Sequence, residues 1–410
     1  MEDAEPRRSS PAFVQTLIGS GHSLSHFYGL TLPPLFPLMQ SELGLSYTAL
    51  GFLMTLLAIT SGLGQVVAGF LVDRFGARIL LVSGLALMGI GMGAIGFMPS
   101  YWAMGACVVL SGLGNCVFHP CDYVILNASI DRARLGRAFS IHTFVGNVGS
   151  ALAPPVMILL ASLLGWRSAL AVAGSFAIFV LLFVLMFGSV LQERQRGRKP
   201  AEAPRPEMKT GWRLLLSVPF LLMFAFYMTG SMASSGIQSF AVTSMVQFHG
   251  LKLDAANMVL TGFLAANAIG ILVGGYLADR TSRQGPIIVG SFVGSAMLAG
   301  FAGAVPLSAI ILFLAFGAIG LLQGITRPSR DIITRHMTPD RDVGKVFAFV
   351  SSGLNVGSAT APAAFGLLLD YGHPQMIFYG IGLFLLLGVT TMGTSRMYAH
   401  AMREAGAHAD

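Results

Sequence analysis

The side chains that could do chemistry are few, and they sit where charge is expensive. His22 and His26 lie in one long apolar run, His119 and Asp122 in a second, His142 early in a third, and Arg327, Arg330 and Asp331 in a fourth. An ionisable group inside a membrane span costs at least about 2.5 kcal/mol by insertion scales, so it marks a path for a solute or a proton by default. Histidine titrates near neutral pH and suits proton handling. A guanidinium suits an anion, and Asp122 offers a protonatable carboxylate. His22 and His26 share a helix face at i,i+4 and could form half a metal site. No matching Cys or carboxylate cluster accompanies them in the sequence, and no metal is expected. Tyr28, Tyr227, Gln238, Asn147, Asn355 and Gln323 are the neutral polar side chains expected along a cavity. The competing structural readings are packed histidines and a static ion pair.

An internal repeat sharpens this set. Asn147-Val-Gly-Ser-Ala-Leu-Ala-Pro154 matches Asn355-Val-Gly-Ser-Ala-Thr-Ala-Pro362, 208 residues later, and Gly136-Arg137-Ala138-Phe139 matches Gly344-Lys345-Val346-Phe347 at the same offset. By that offset His119 and Asp122 are the mates of Arg327 and Arg330. Each pair is spaced three apart and shares a helix face, which makes Asp122 and Arg330 a candidate charge pair between the halves. Within its own helix Arg327 is spaced i,i+4 from Asp331, and that pairing would leave Arg330 freer. Arg330 lies about five residues, or roughly 8 Å, before the end of its span, which favours a cytoplasmic gate or the floor of a cavity.

The elements that must hold these residues follow from composition. The chain has 410 residues, 54% hydrophobic and 10% charged, against about 25% charged in soluble domains. An ordinary soluble fold is excluded. Apolar runs long enough to cross a bilayer number about twelve, which gives an all-α membrane protein of two pseudo-symmetric six-helix bundles. The expected division is residues 1–191, a polar linker at 192–212, and residues 213–410. Of the 25 Lys and Arg, 21 fall on the side that holds both termini and two on the other, which places the termini in the cytoplasm by the positive-inside rule. That asymmetry accounts for the net charge of +7 without nucleic acid. Three cysteines in one apolar stretch imply no disulfide framework, and no cleavable signal peptide is expected. Pro33-Pro34 and Pro154-Pro155 are expected to kink helices. No phosphate loop, catalytic triad or zinc-hydrolase motif is present, so the chain is expected not to be an enzyme and to need no cofactor beyond a proton gradient.

Gly69-Phe-Leu-Val-Asp73-Arg74-Phe-Gly76-Ala-Arg78, between the second and third spans, resembles the loop signature of the major facilitator superfamily, with a weaker copy at Gly275, Asp279 and Arg280. The resemblance implies the twelve-helix fold, transport, and a cytoplasmic gate or latch built on these loops. Ser111-Gly-Leu-Gly-Asn-Cys-Val-Phe118-His119-Pro120, with Gly146-Asn147-Val148-Gly149-Ser150, is similar to the branch containing the fosmidomycin resistance exporter. That branch has a first-span His followed by an Asn-Asp pair; here the stretch reads His22-Ser-Leu-Ser25-His26, so His26 stands where an acid would. The implied protein is a monomeric secondary transporter of the bacterial inner membrane, in contact with lipid and a small solute. Proton-driven efflux of a polar or amphipathic solute is the first expectation. Uptake of a small organic anion is the second, and a non-transporting membrane sensor the third.

Overall fold

The computed structural model describes residues 10–191, 214–281, 283–339 and 342–407. The expected linker at 192–212 lies outside them. The described residues form α-helices joined by short turns, with no strand among them. In chain order these are α1 (Pro11–Gly29), α2 (Phe36–Leu43), α3 (Tyr47–Phe75), α4 (Ala77–Ala94), α5 (Tyr101–Asn115), α6 (Phe118–Ser129) and α7 (Arg132–Phe187). They are followed by α8 (Val218–His249), α9 (Leu253–Arg280), α10 (Gln284–Ala304), α11 (Ala309–Met337), α12 (Val343–Asp370) and α13 (Met376–Ala407).

Nine helical segments among the described residues are long and apolar enough to cross a membrane. One of them, Arg134–Val190, contains two crossings, because its backbone leaves helical dihedrals at Gly165 (φ 77°, ψ 157°). That positive φ is open to glycine at little strain. Counting this helix twice and adding α12 and the α1–α2 segment gives the twelve expected crossings. The Pro33-Pro34 pair opens a 3₁₀ turn between α1 and α2, the break anticipated there. Pro154 and Pro155 instead lie inside α7, whose only non-helical dihedrals are at Gly165. Cys107, Cys116 and Cys121 are free thiols.

Two compact units emerge. One comprises residues 1–35 with 56–201, and the other residues 36–55 with 202–410. Residues 36–55, expected with the first half, therefore belong to the second unit. The physical reason lies at the start of α3. The Asp370 carboxylate accepts hydrogen bonds from the Tyr47 and Thr48 amides at 2.6 and 2.8 Å and from the Thr48 hydroxyl, so it caps orphan donors of that helix. Further along, Thr55 donates to the Ala359 carbonyl at 2.6 Å.

The repeated Asn-Val-Gly-Ser block has the same packing task in both units. α1 packs on α7 as α8 packs on α12. A Cβ on Gly149 would fall 2.0 Å from the Ser23 carbonyl oxygen, and one on its mate Gly357 would fall 2.4 Å from that of Met228. The obstacle is backbone in both cases, so no rotamer change relieves it. Gly149→Ala and Gly357→Ala are each expected to destabilise the protein by about 1–3 kcal/mol, as overpacked contacts do, read as a lowered unfolding midpoint in detergent.

Candidate functional site

In the first unit, α1, α6 and the start of α7 bring His22, Asp122 and His142 to one point. His142 Nε2 lies 3.0 Å from Asp122 Oδ2 in hydrogen-bonding geometry, and His22 Nδ1 lies 3.2 Å from the same oxygen but off the hydrogen-bond line. All three side chains are buried, Asp122 completely. The His22 and His142 rings stack with centroids 4.0 Å apart, and those of His26 and His119 lie 4.6 and 5.2 Å from His22. The rings have room because residue 146 is glycine: a Cβ there would sit 2.7 Å from two atoms of the His22 imidazole. His26 Nδ1 meets Ser150 Oγ at 3.3 Å, which ties two sequence motifs together.

The second unit holds a cavity of about 290 Å³ between α8, α9, α10, α11, α12 and α13. Its polar lining includes Tyr227, Ser234, Gln238, Gln323, Arg327 and Arg330. Arg330 Nε donates to Asp331 Oδ1 at 3.0 Å, and the Tyr227 hydroxyl donates to the same oxygen at 2.9 Å. The Arg330 guanidinium also lies over the Tyr227 ring, 4.1 Å from its centroid, a cation–π contact that fixes its plane. Arg327 has no ion-pair or hydrogen-bond partner among the described residues. Gln323 accepts from Ser234 at 2.9 Å, while its Nε2 is buried without a hydrogen-bond partner among the described residues.

Several expectations change. Within its own unit Asp122 is engaged by His142, and Arg330 by Asp331. The carboxylate has two imidazoles beside it, which a sequence offset could not reveal. Arg330, rather than Arg327, takes Asp331, because adjacent side chains can converge where both bend toward the Tyr227 hydroxyl. Arg327 is thus left without an ion pair among the described residues, the reverse of the i,i+4 expectation. Tyr28 is buried, and its hydroxyl donates to the Ala173 and Gly174 carbonyls at 2.7 and 3.1 Å. Asn147 turns back to the Thr143 carbonyl at 2.8 Å. Asn355 is exposed and outside the cavity lining.

The loop motifs are also redistributed. Gly76 links α3 to α4 at φ 87°, and Arg78 Nη2 donates to the Leu185 carbonyl at 3.3 Å. Arg74 and Arg280 lie over the rings of Phe75 and Tyr276. Asp73 and Asp279 are exposed. A Cβ on Gly69 or Gly275 would meet nothing within 4 Å, so neither is a close-approach point; Gly274 is, its Cβ position lying 2.6 Å from the Ile325 carbonyl oxygen. Sequence reasoning missed Ser231, Ser234 and Ser235 of the cavity wall. Their signal was present: with Tyr227 and Gln238 they form a polar stripe at helical spacing along an otherwise apolar helix.

Comparison with known proteins places this architecture. The sequence matches the Major Facilitator Superfamily over residues 18–251 and 228–403. It is 27% identical over 391 residues to the uncharacterized MFS-type transporter YfnC of Bacillus subtilis, covering 92% of this chain and 91% of that protein. It is 26% identical over 392 residues to the fosmidomycin resistance protein of Escherichia coli, with coverage of 92% and 91%. In fold it is similar to a bacterial homolog of the human lysosomal transporter Spinster in an inward-facing, unoccupied conformation, with a TM-score of 0.77, 14% identity, and coverage of 96% and 97%. Matched along nearly its whole length and built of twelve crossings carrying a twofold internal repeat, the chain belongs to the Major Facilitator Superfamily of membrane transporters.

Proposed function

We propose that this transporter is a proton-coupled symporter of a small organic anion. The observation that carries the reading is Arg327, a cation lining a small polar cavity with no carboxylate within ion-pair distance among the described residues. A charge in that position is expensive unless paired, and a carboxylate, phosphonate or sulfonate is the chemistry that would pair it. The cavity, at about 290 Å³, is at the small end of ligand pockets, which run to roughly 1,000 Å³. Coupling follows from the neighbouring group. An anion that draws Arg330 from Asp331 leaves a carboxylate without its cation, and a proton restores neutrality. Anion and proton load together, so an inward proton gradient drives uptake by alternating access, across the inner membrane in a bacterial cell.

The test is flux in proteoliposomes across a panel of carboxylates, phosphonates and sulfonates under an imposed pH gradient. Gradient-dependent accumulation of an anion, lost when the gradient is collapsed by an ionophore, is expected. Transport of neutral or cationic solutes alone, or flux indifferent to the gradient, would overturn the reading. Export is the second reading. It is favoured by the likeness, over nearly the full length of both chains, to a protein named for fosmidomycin resistance. Accumulation in outward-loaded vesicles against accumulation in inside-out ones separates the two directions.

A further inference from the structure

The His22, Asp122 and His142 cluster contains more ligating capacity than the protein alone uses. We infer that it binds a divalent transition-metal ion through His22 Nδ1, the Asp122 carboxylate and His142 Nε2. The three donor atoms lie within 4.8 Å of one another. The two edges that meet at Asp122 Oδ2, 3.2 and 3.0 Å, are close to the roughly 3.3 Å that separates ligands of a tetrahedral ion with bonds of about 2.0–2.1 Å. Three helices supply the donors, one each from α1, α6 and α7, so the site is set by tertiary packing and not by a single turn of helix.

The hydrogen bonding points the same way. His22 Nδ1 is buried and lies 3.2 Å from Asp122 Oδ2 but off the hydrogen-bond line, and the second carboxylate oxygen, Asp122 Oδ1, is buried without a hydrogen-bond partner among the described residues. A carboxylate flanked by imidazolium donors would have in-line bonds on both sides. A metal ion instead takes a nitrogen lone pair and both carboxylate oxygens, and it satisfies both of these atoms at once. Two imidazoles with one carboxylate select Zn²⁺, Co²⁺ or Fe²⁺ over Mg²⁺ or Ca²⁺. Gly146 keeps open the volume that the His22 ring occupies.

The site does not depend on the anion reading, since it lies wholly within the other unit. The test uses the purified full-length protein in detergent, stripped with a chelator and titrated with CoCl₂. Saturable, stoichiometric Co²⁺ binding with visible ligand-field absorption is expected, displaced by Zn²⁺. Asp122→Asn and His142→Gln should each weaken Co²⁺ binding at least tenfold, while His26→Gln, outside the donor set, should leave it unchanged. Zn²⁺-edge X-ray absorption on the unmutated protein reads the donors directly, independent of how the variants fold. Imidazole and oxygen neighbours without sulfur are expected, although Cys121 adjoins Asp122 in sequence. Absence of saturable Co²⁺ and Zn²⁺ binding, a sulfur neighbour, or binding indifferent to both substitutions would overturn the site.

Discussion

Arg327→Ala is expected to abolish anion transport while raising the thermal stability of the protein. The two effects have one cause. The guanidinium lines the cavity with no hydrogen-bond or ion-pair partner among the described residues, so it contributes desolvation and no compensating bond. Removing it relieves that penalty. A bound anion would lose its strongest contact, however, and a charge-assisted hydrogen bond of about 1.5–3 kcal/mol corresponds to roughly ten- to 150-fold in affinity. Arg327→Lys keeps the charge but not the fork of donors, and it should retain part of the affinity. Flux of a radiolabelled anion and the unfolding midpoint in detergent measure the pair. A variant that transports normally, or one that loses transport together with stability, would show that Arg327 is part of the packing and not a substrate ligand.

The sequence made the architecture legible because membrane insertion and duplication both leave long-range patterns. Apolar runs and the one-sided distribution of Lys and Arg report the crossings, and the twin Asn-Val-Gly-Ser blocks report helix contacts that the backbone of both units confirms at Gly149 and Gly357. The ionisable residues within spans were equally visible, since each stands out against an apolar background. Their partners were not. Helical spacing says which residues share a face, but not which neighbouring helix that face meets or which rotamer bends toward a third group. His142, twenty residues from Asp122 and on another helix, is such a partner; so is the Tyr227 hydroxyl that draws Arg330 and Asp331 together. Tyr28 shows the converse case. Its polar end suggested a cavity, yet its hydroxyl is spent on the carbonyls of Ala173 and Gly174, as buried polar groups usually are.

Asp331→Asn is expected to uncouple the transporter rather than silence it. The carboxylate accepts from Arg330 and from Tyr227 on the same oxygen, and half of its side-chain surface remains accessible, so a proton can reach it once the guanidinium moves. An asparagine is close in size, can still accept a hydrogen bond through its carbonyl, and cannot bind that proton. It also holds Arg330 less firmly, because a neutral acceptor replaces a charged one. Anion affinity should therefore hold or rise. Accumulation against a gradient should fall toward simple equilibration, and the dependence of flux on external pH, rising with acidity in the unmutated protein, should flatten. Counterflow separates this outcome from inactivation, since exchange of labelled for unlabelled anion needs no net proton movement. Preserved counterflow with lost proton-driven accumulation identifies Asp331 as the coupling group. Loss of both would assign it to the static scaffold around Arg330, and unchanged pH dependence would move the proton to another residue.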